Sequence, residues 1–196
     1  MSAVTSFRWL SMARAGVVLA LLLGGCATTP GPQGTEGNIV LNQDESALFN
    51  AAMQDLQQEK YQDGIRQLEK LVSQNGDSAV PYINMAIAYK KLEDTEQAET
   101  ALQQAMKIEP DNPVANNEYA LLLRKQGRFI EAREVYENIL RKYPKFALAN
   151  KNLGVLCDIY MKDYQCALDA YQAYSAVTPD DEEVGIWISD LEMRTQ

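Results

Sequence analysis

The feature that most constrains the fold is a stretch of 34 residues, 79–112, in which two amphipathic helical patterns follow each other. In the first pattern, apolar residues recur at the spacing of one helix face: Tyr82, Met85, Ala86 and Tyr89. The second pattern shows the same spacing in Ala98, Ala101, Leu102 and Ala105. Pro110 then ends the second helix. Neither helix can bury its apolar face alone, so the stretch predicts a helical hairpin that needs a neighbour.

The same order of large, small and aromatic residues recurs along the chain. The copies are residues 45–78, 79–112, 113–146 and 147–181, and the last of them has one residue inserted between its two helices. Residues 182–196 follow as one more amphipathic segment. The pattern resembles the tetratricopeptide repeat, a helix-turn-helix unit of about 34 residues. The resemblance implies an all-α fold, a right-handed superhelical solenoid of about four hairpins with a C-terminal capping helix.

The start of the chain has the composition of a targeting segment. Residues 1–25 combine basic residues with an apolar core that is too short to cross a bilayer. They run into the tetrapeptide LGGC, residues 23–26, which resembles the lipobox of bacterial lipoproteins. That resemblance implies cleavage before Cys26, lipid attachment to Cys26 and, because Ala27 follows rather than an aspartate, anchoring in the outer membrane. The alternative is an ordinary cleavable signal with a chance cysteine.

Residues 26–44 are rich in Thr, Pro, Gly, Gln and Asn and almost free of apolar side chains. This composition predicts a flexible linker between the lipid anchor and the repeats.

In the tetratricopeptide family, ligands contact fixed positions of the first helix of each repeat, which lines the concave face. Transferred to this sequence, these positions predict a groove for an extended peptide. Its predicted residues are Asn50, Asn84, Ile87, Lys90, Lys91, Asn117, Leu121, Arg124, Lys125, Lys151 and Asn152.

Two features of this lining favour a peptide with acidic character. Asn50, Asn84 and Asn152 recur at one repeat position, where some family members use amides to hold a peptide backbone, although Glu118 interrupts the row. The cations form a basic cluster in a chain of net charge −9, which favours an acidic segment or a terminal carboxylate. The alternative is that asparagine is common at this position and that the cations only favour the helix dipole.

Cys157 and Cys166 lie on either side of the turn between the last two repeat helices. In an oxidising periplasm, two cysteines placed in this way predict a disulfide bond. The alternative is two free thiols, one buried and one exposed.

Several function classes are not expected. The chain has no histidine, and histidine is the commonest general base and metal ligand. We find no nucleophile paired with a base and no phosphate-binding motif, so the sequence predicts no enzymatic activity, metal, cofactor or small-molecule substrate. The acidic balance also argues against nucleic acid as a partner.

The predicted function is therefore a non-catalytic scaffold in the periplasm, anchored to the outer membrane, that binds an extended segment of a protein partner. The repeats and the lipobox together resemble type IV pilus pilotins, which serve secretins, and the tetratricopeptide lipoproteins of TonB-type transport systems. The resemblance implies a role in an envelope assembly of this kind. The alternative is a structural spacer or a self-associating protein of the cell envelope.

Overall fold

The computed structural model describes residues 41–195, and all regular structure in this range is helical. The α-helices are α1 (Gln43–Gln57), α2 (Tyr61–Gln74), α3 (Ala79–Lys91), α4 (Thr95–Ile108), α5 (Pro113–Lys125), α6 (Phe129–Lys142), α7 (Ala147–Val155), α8 (Tyr164–Ser175) and α9 (Glu182–Arg194). A π-helical turn, Leu156–Met161, directly follows α7. Within the described range, every helix is too short or too polar to cross a membrane. The predicted signal segment, Cys26 and most of the predicted linker lie outside the described residues.

The first helix begins slightly earlier than the predicted linker boundary at residue 44. The side chain of Asn42 accepts a hydrogen bond from the backbone N–H of Glu45 at 3.0 Å, and the Glu45 carboxylate accepts one from the N–H of Asn42 at 2.9 Å. This reciprocal capping box satisfies two backbone donors at the helix start. Helix α1 therefore begins at Gln43.

The helices pack as four hairpins, α1 with α2, α3 with α4, α5 with α6 and α7 with α8. The second helix of each hairpin also packs on the first helix of the next. Helix α3 contacts α5, and α5 contacts α7, so these three first helices form a continuous inner layer. These contacts confirm the predicted all-α solenoid of tetratricopeptide-like hairpins, a right-handed superhelix in which each unit buries its apolar face on its neighbours.

Small residues stand where the two helices of a hairpin approach most closely. One recurs at the same position in each first helix, and all four are buried: Ala52, Ala86, Ala120 and Gly154. In the fourth hairpin the ring of Tyr171 lies so close that a Cβ added to Gly154 would meet its carbons at 2.3 Å. A larger residue here would force the ring or the helices apart.

Each hairpin turns at one residue in the left-handed conformation. The turn residues are Glu59 with φ 60°, Glu93 with φ 62°, Gly127 with φ 77° and Lys162 with φ 56°. Their spacing along the chain is 34, 34 and then 35 residues. The extra residue of the fourth repeat therefore precedes the turn, in the π-helical segment between α7 and α8. A π-turn takes up one additional residue while the structure beyond it keeps its place.

Amide side chains fasten two of the junctions between hairpins. Asn116 Nδ2 donates a hydrogen bond to the carbonyl oxygen of Pro110 at 2.9 Å, and Asn150 Nδ2 donates to that of Pro144 at 3.0 Å. Both bonds tie a first helix to the proline turn that precedes it. Tyr82 occupies the corresponding position at the junction of the first two hairpins, and it brings no amide to that turn.

The last helix, α9, covers the end of the stack by packing on α8. It buries Val184 and Leu191, and Trp187 is half-buried. Its other side leaves Ile186 and Met193 with 68% and 71% of their surface exposed. The helix therefore covers the apolar end of the fourth hairpin, but its own outer surface is partly apolar.

Candidate functional site

The predicted asparagine row does not form a set of free amides. Asn84 Nδ2 donates to the carbonyl oxygen of Val80 in its own helix at 2.9 Å. Asn152 Nδ2 donates to Oδ1 of Asn117 at 3.0 Å, and Asn117 is itself buried. Asn50 is exposed. Asn84 and Asn152 each use one of the two N–H donors of their amide within the protein, so fewer donors of the row are available to a peptide backbone.

Apolar side chains form a second row along the inner layer. Ile87 and Leu121 stand at the same repeat position on α3 and α5, and both are half-buried. Met53 on α1 and Val155 on α7 continue the row at that position, and they are also half-buried. Each first helix thus leaves part of one apolar side chain accessible, and these surfaces recur from hairpin to hairpin.

The predicted basic cluster divides according to the partners of its members. Lys90 forms an ion pair with Glu118, and both side chains are largely buried. Lys151 Nζ lies 2.8 Å from a carboxylate oxygen of Asp181. Both carboxylates belong to the next helical unit, 28 and 30 residues further along the chain. A lysine followed about one repeat later by a carboxylate is therefore the sequence pattern that would have predicted these ion pairs.

Lys151 fastens the last helix to the stack. Its Nζ lies 5.1 Å from the ring centroid of Tyr174 and 5.4 Å from that of Trp187. Asp181 accepts from the Tyr174 hydroxyl at 2.8 Å and from the backbone N–H of Val184 at 3.3 Å, which caps α9. The hydrogen bonds from Lys151 and Tyr174 lower the pKa of Asp181 to about 2. These contacts give Lys151 a structural role at the position where the sequence predicted a ligand contact.

Arg124 is also engaged within the protein. Its guanidinium carbon lies 5.5 Å from the ring centroid of Tyr160, which is in turn 5.1 Å from the ring centroid of Phe129. Arg124 Nη1 is buried, with no hydrogen-bond partner among the described residues. Because this nitrogen is inaccessible to solvent and the guanidinium packs on the Tyr160 ring, Arg124 presents less of its charge to a ligand than an exposed arginine would.

Lys91 and Lys125 remain as the accessible cations of the predicted cluster. Both side chains are exposed at the C-terminal ends of α3 and α5. Among residues 41–195, no carboxylate oxygen lies within ion-pairing distance of either one. Together with the apolar row of Met53, Ile87, Leu121 and Val155, they make up the candidate groove.

A disulfide bond joins Cys157 to Cys166, with their Cα atoms 5.8 Å apart. Cys157 is buried in the π-turn, and Cys166 lies in the first turn of α8. The backbone N–H of Cys166 donates to the side chain of Asp163, which caps α8. The bond therefore ties the irregular end of the inner helix to the start of the outer one.

The π-turn places Ile159 and Tyr160 at the end of the inner helix. Counted from the start of the repeat, Ile159 stands at the position of Lys91 and Lys125, which the sequence assigns to the groove, whereas Tyr160 stands at none of the groove positions. Counted back from the left-handed residue of each turn, Ile159 and Tyr160 correspond to the pairs Lys90–Lys91 and Arg124–Lys125. Both are substantially exposed, at 53% and 45%. A one-residue insertion hides this correspondence from a count that begins at the start of the repeat.

Two family models match the chain. The model described as YpiA-like, C-terminal tetratricopeptide repeats matches residues 81–145, and the model described as tetratricopeptide repeat matches residues 117–182. Together they span more than half of the sequence, in the same register as the hairpins. This chain belongs to the tetratricopeptide-repeat family. Domains of this family generally bind protein partners, and they are generally non-catalytic scaffolds.

Among curated proteins, the repeats are similar to BBSome complex member BBS4 of Bos taurus, with 28% identity over 99 residues. The match covers 50% of this chain and 19% of that protein, so the chain spans about one fifth of the length of the curated relative.

Solved structures that share the fold include PilF and YrrB. The PilF protein of Pseudomonas aeruginosa superposes with a TM-score of 0.69 at 19% identity, covering 77% of this chain and 68% of the other. YrrB, described as a TPR protein with an unusual peptide-binding site, superposes with a TM-score of 0.60 at 21% identity, covering 71% and 72%. At these identities the likeness concerns the fold alone.

Proposed function

We propose that this tetratricopeptide-repeat protein is a non-catalytic scaffold that holds an extended segment of a protein partner along its inner layer of helices. The observation that carries the proposal is the combination of a recurring half-buried apolar row with two exposed cations, Lys91 and Lys125. Apolar pockets supply most of the affinity in such a groove, and exposed cations supply charge selection and faster association. The chemistry favours a partner segment that is apolar in part and acidic in part.

We further propose that the partner belongs to an envelope assembly, such as a pilus secretin or a TonB-type transport system, and that the scaffold faces the periplasm from the outer membrane. The lipobox-like tetrapeptide that ends at Cys26 supports this location, and a disulfide between Cys157 and Cys166 is consistent with an oxidising compartment.

The location is tested by mass spectrometry of the mature protein extracted from membranes. We expect an N-terminus at an acylated Cys26, and we expect Cys26→Ser to remain unlipidated. An intact protein that starts elsewhere and carries no acyl chain would contradict the anchor.

The groove is tested by site-specific photo-crosslinking in cells. A photoreactive residue at Leu121 or Ile87, on the inner layer, should yield a covalent adduct with one partner protein. The matched control places the same residue at Gln103, an exposed position of the outer helix α4. Adducts that form from Gln103 and not from the inner positions would show that the partner uses the outer face.

A second candidate is self-association, because α9 exposes Ile186 and Met193 on one side. An apolar surface at the end of a solenoid is suited to contact with another copy. Adducts of the chain with itself from a photoreactive residue at Ile186, and none from the inner positions, would favour this alternative.

A further inference from the structure

The end of the inner helix differs in the fourth repeat from the two repeats before it. In the second and third repeats, the two residues that stand three and two places before the turn are basic, Lys90–Lys91 and Arg124–Lys125. In the fourth repeat, the π-turn brings Ile159 and Tyr160 to these places. A surface that is cationic in one repeat is thus replaced by exposed apolar side chains in the next.

The Tyr160 ring is held in place from two sides. The Arg124 guanidinium lies 5.5 Å from its centroid, and the Phe129 ring lies 5.1 Å from it. Below it, the disulfide of Cys157 ties the π-turn to α8. A ring fixed in this way loses little conformational freedom when a ligand side chain packs on its open side, which favours its use as a contact surface.

Two exposed lysines lie near this pair along the chain. Lys125 follows Arg124, whose guanidinium contacts the Tyr160 ring, and Lys162 follows Tyr160 by two residues. Within the described part of the chain, neither lysine has a carboxylate at ion-pairing distance. The nearby acids each face an arginine: Asp158 lies 4.0 Å from Arg194 and Asp163 lies 2.9 Å from Arg133. These arginines also pair with Asp190 and Glu137. A complementary ligand therefore carries negative charge beside an apolar group.

We infer that Ile159 and Tyr160 form an apolar subsite that selects a partner segment in which one large aliphatic or aromatic side chain is flanked by acidic residues. The inference rests on the proposed groove and adds its specificity: the apolar side chain packs on the π-turn while the acids face Lys125 and Lys162. Most of the discrimination between partner segments then comes from the fourth repeat, which departs from the regular pattern.

The test is a selection of random 12-residue peptides displayed on phage against the purified full chain. Wild type should enrich peptides that combine Phe, Tyr, Trp or Leu with neighbouring Asp or Glu. The best peptide, made synthetically, should bind the Ile159→Ser/Tyr160→Ser variant about tenfold more weakly, as expected for loss of a principal apolar contact. Tyr160→Phe should bind within about twofold of wild type, because the ring is kept.

Control variants separate this subsite from the groove as a whole. Ile186→Ser removes an even more exposed apolar side chain, from α9, and should leave peptide affinity unchanged. Lys125→Glu should reduce the preference for acidic peptides and the salt dependence of binding. Melting temperatures check folding, and Ile159→Ser alone, at an exposed residue, replaces the double variant if that variant is destabilised.

The outcomes distinguish the two proposals. If Leu121→Asp abolishes binding while the Ile159→Ser/Tyr160→Ser variant binds and selects peptides as wild type does, the groove stands and the subsite is refuted. Enriched peptides without an apolar residue, or without acids, would also refute it. If wild type enriches no peptide at all, both proposals fail.

Discussion

The third and fourth repeats have hairpin turns of the same left-handed conformation, but the backbone that leads into the turn differs. In the third, α5 continues as a regular helix to Lys125 and the chain turns at Gly127. In the fourth, α7 is only nine residues long, and the π-turn of residues 156–161 carries the chain to Lys162. Both repeats nevertheless bury a small residue in each helix at the same positions, Ala120 and Ala132 in one and Gly154 and Ala167 in the other. The insertion is confined to the helix end, so the packing tolerates it while the exposed surface changes.

Removing the disulfide should give the largest difference between these repeats, because only the fourth contains one. The bond closes a loop with a sequence separation of 9 residues, and its loss is expected to lower the free energy of unfolding by about 2–3 kcal/mol. We expect the reduced protein to melt about 5–10 °C below the oxidised one. The measurement is thermal unfolding with and without reductant. The Cys157→Ala/Cys166→Ala variant is the control, and it should be insensitive to reductant.

Changing the small residue of the first helix should lower stability in both repeats, but for different reasons. Gly154→Ala places a Cβ against the Tyr171 ring and is expected to cost about 1–3 kcal/mol by overpacking. The reverse change in the third repeat, Ala120→Gly, should cost about 1–2 kcal/mol, through lower helix propensity and the loss of a buried methyl group. Chemical denaturation measures both. A Gly154→Ala variant as stable as wild type would show that the hairpin can open at no cost.

The hairpin turns of the second and fourth repeats should respond alike to a glycine substitution if the π-turn leaves the fourth turn unchanged. Glu93→Gly and Lys162→Gly relieve a left-handed residue and are each expected to stabilise the fold by up to about 1 kcal/mol. Gly127→Ala should destabilise it by a similar amount, because a Cβ there meets no other atom and only the backbone conformation is unfavourable. Unequal effects of the first two variants would mean that the fourth turn differs from the second.

The smallest expected effect is a change in stability at low pH. Hydrogen bonds from Lys151 and Tyr174 hold the pKa of Asp181 at about 2, below its ordinary value of 3.8. A lowered pKa contributes stability above the unfolded value, and this contribution is lost as the pH falls from about 4 to about 2. Asp181→Asn should therefore melt below wild type at pH 7, and the gap should narrow by pH 2.5. Asp180→Asn, at an exposed neighbour, is the control and should show no such change.

The fold was predictable because the apolar residues repeat at about 34-residue intervals, and that period admits few arrangements. The candidate site was less predictable. Lys90 and Lys151 were expected to face a ligand, but each contacts a carboxylate in the following unit, which a single repeat does not contain. Tyr160 was missed because one inserted residue moves it to a position that is basic in the second and third repeats. Contacts between repeats, rather than patterns within them, decided which side chains remain accessible.

The unequal junctions bear on how the protein would respond to force. Asn116 and Asn150 fasten the later junctions to their proline turns, whereas the first junction has Tyr82 in that place. In a linear stack each unit is held only by its neighbours, so the hairpin at the end of the stack can open while the others stay folded. If the chain is anchored through Cys26, tension from the membrane reaches the first hairpin before the others. That hairpin would unfold first, and the third and fourth repeats would stay folded around a bound partner.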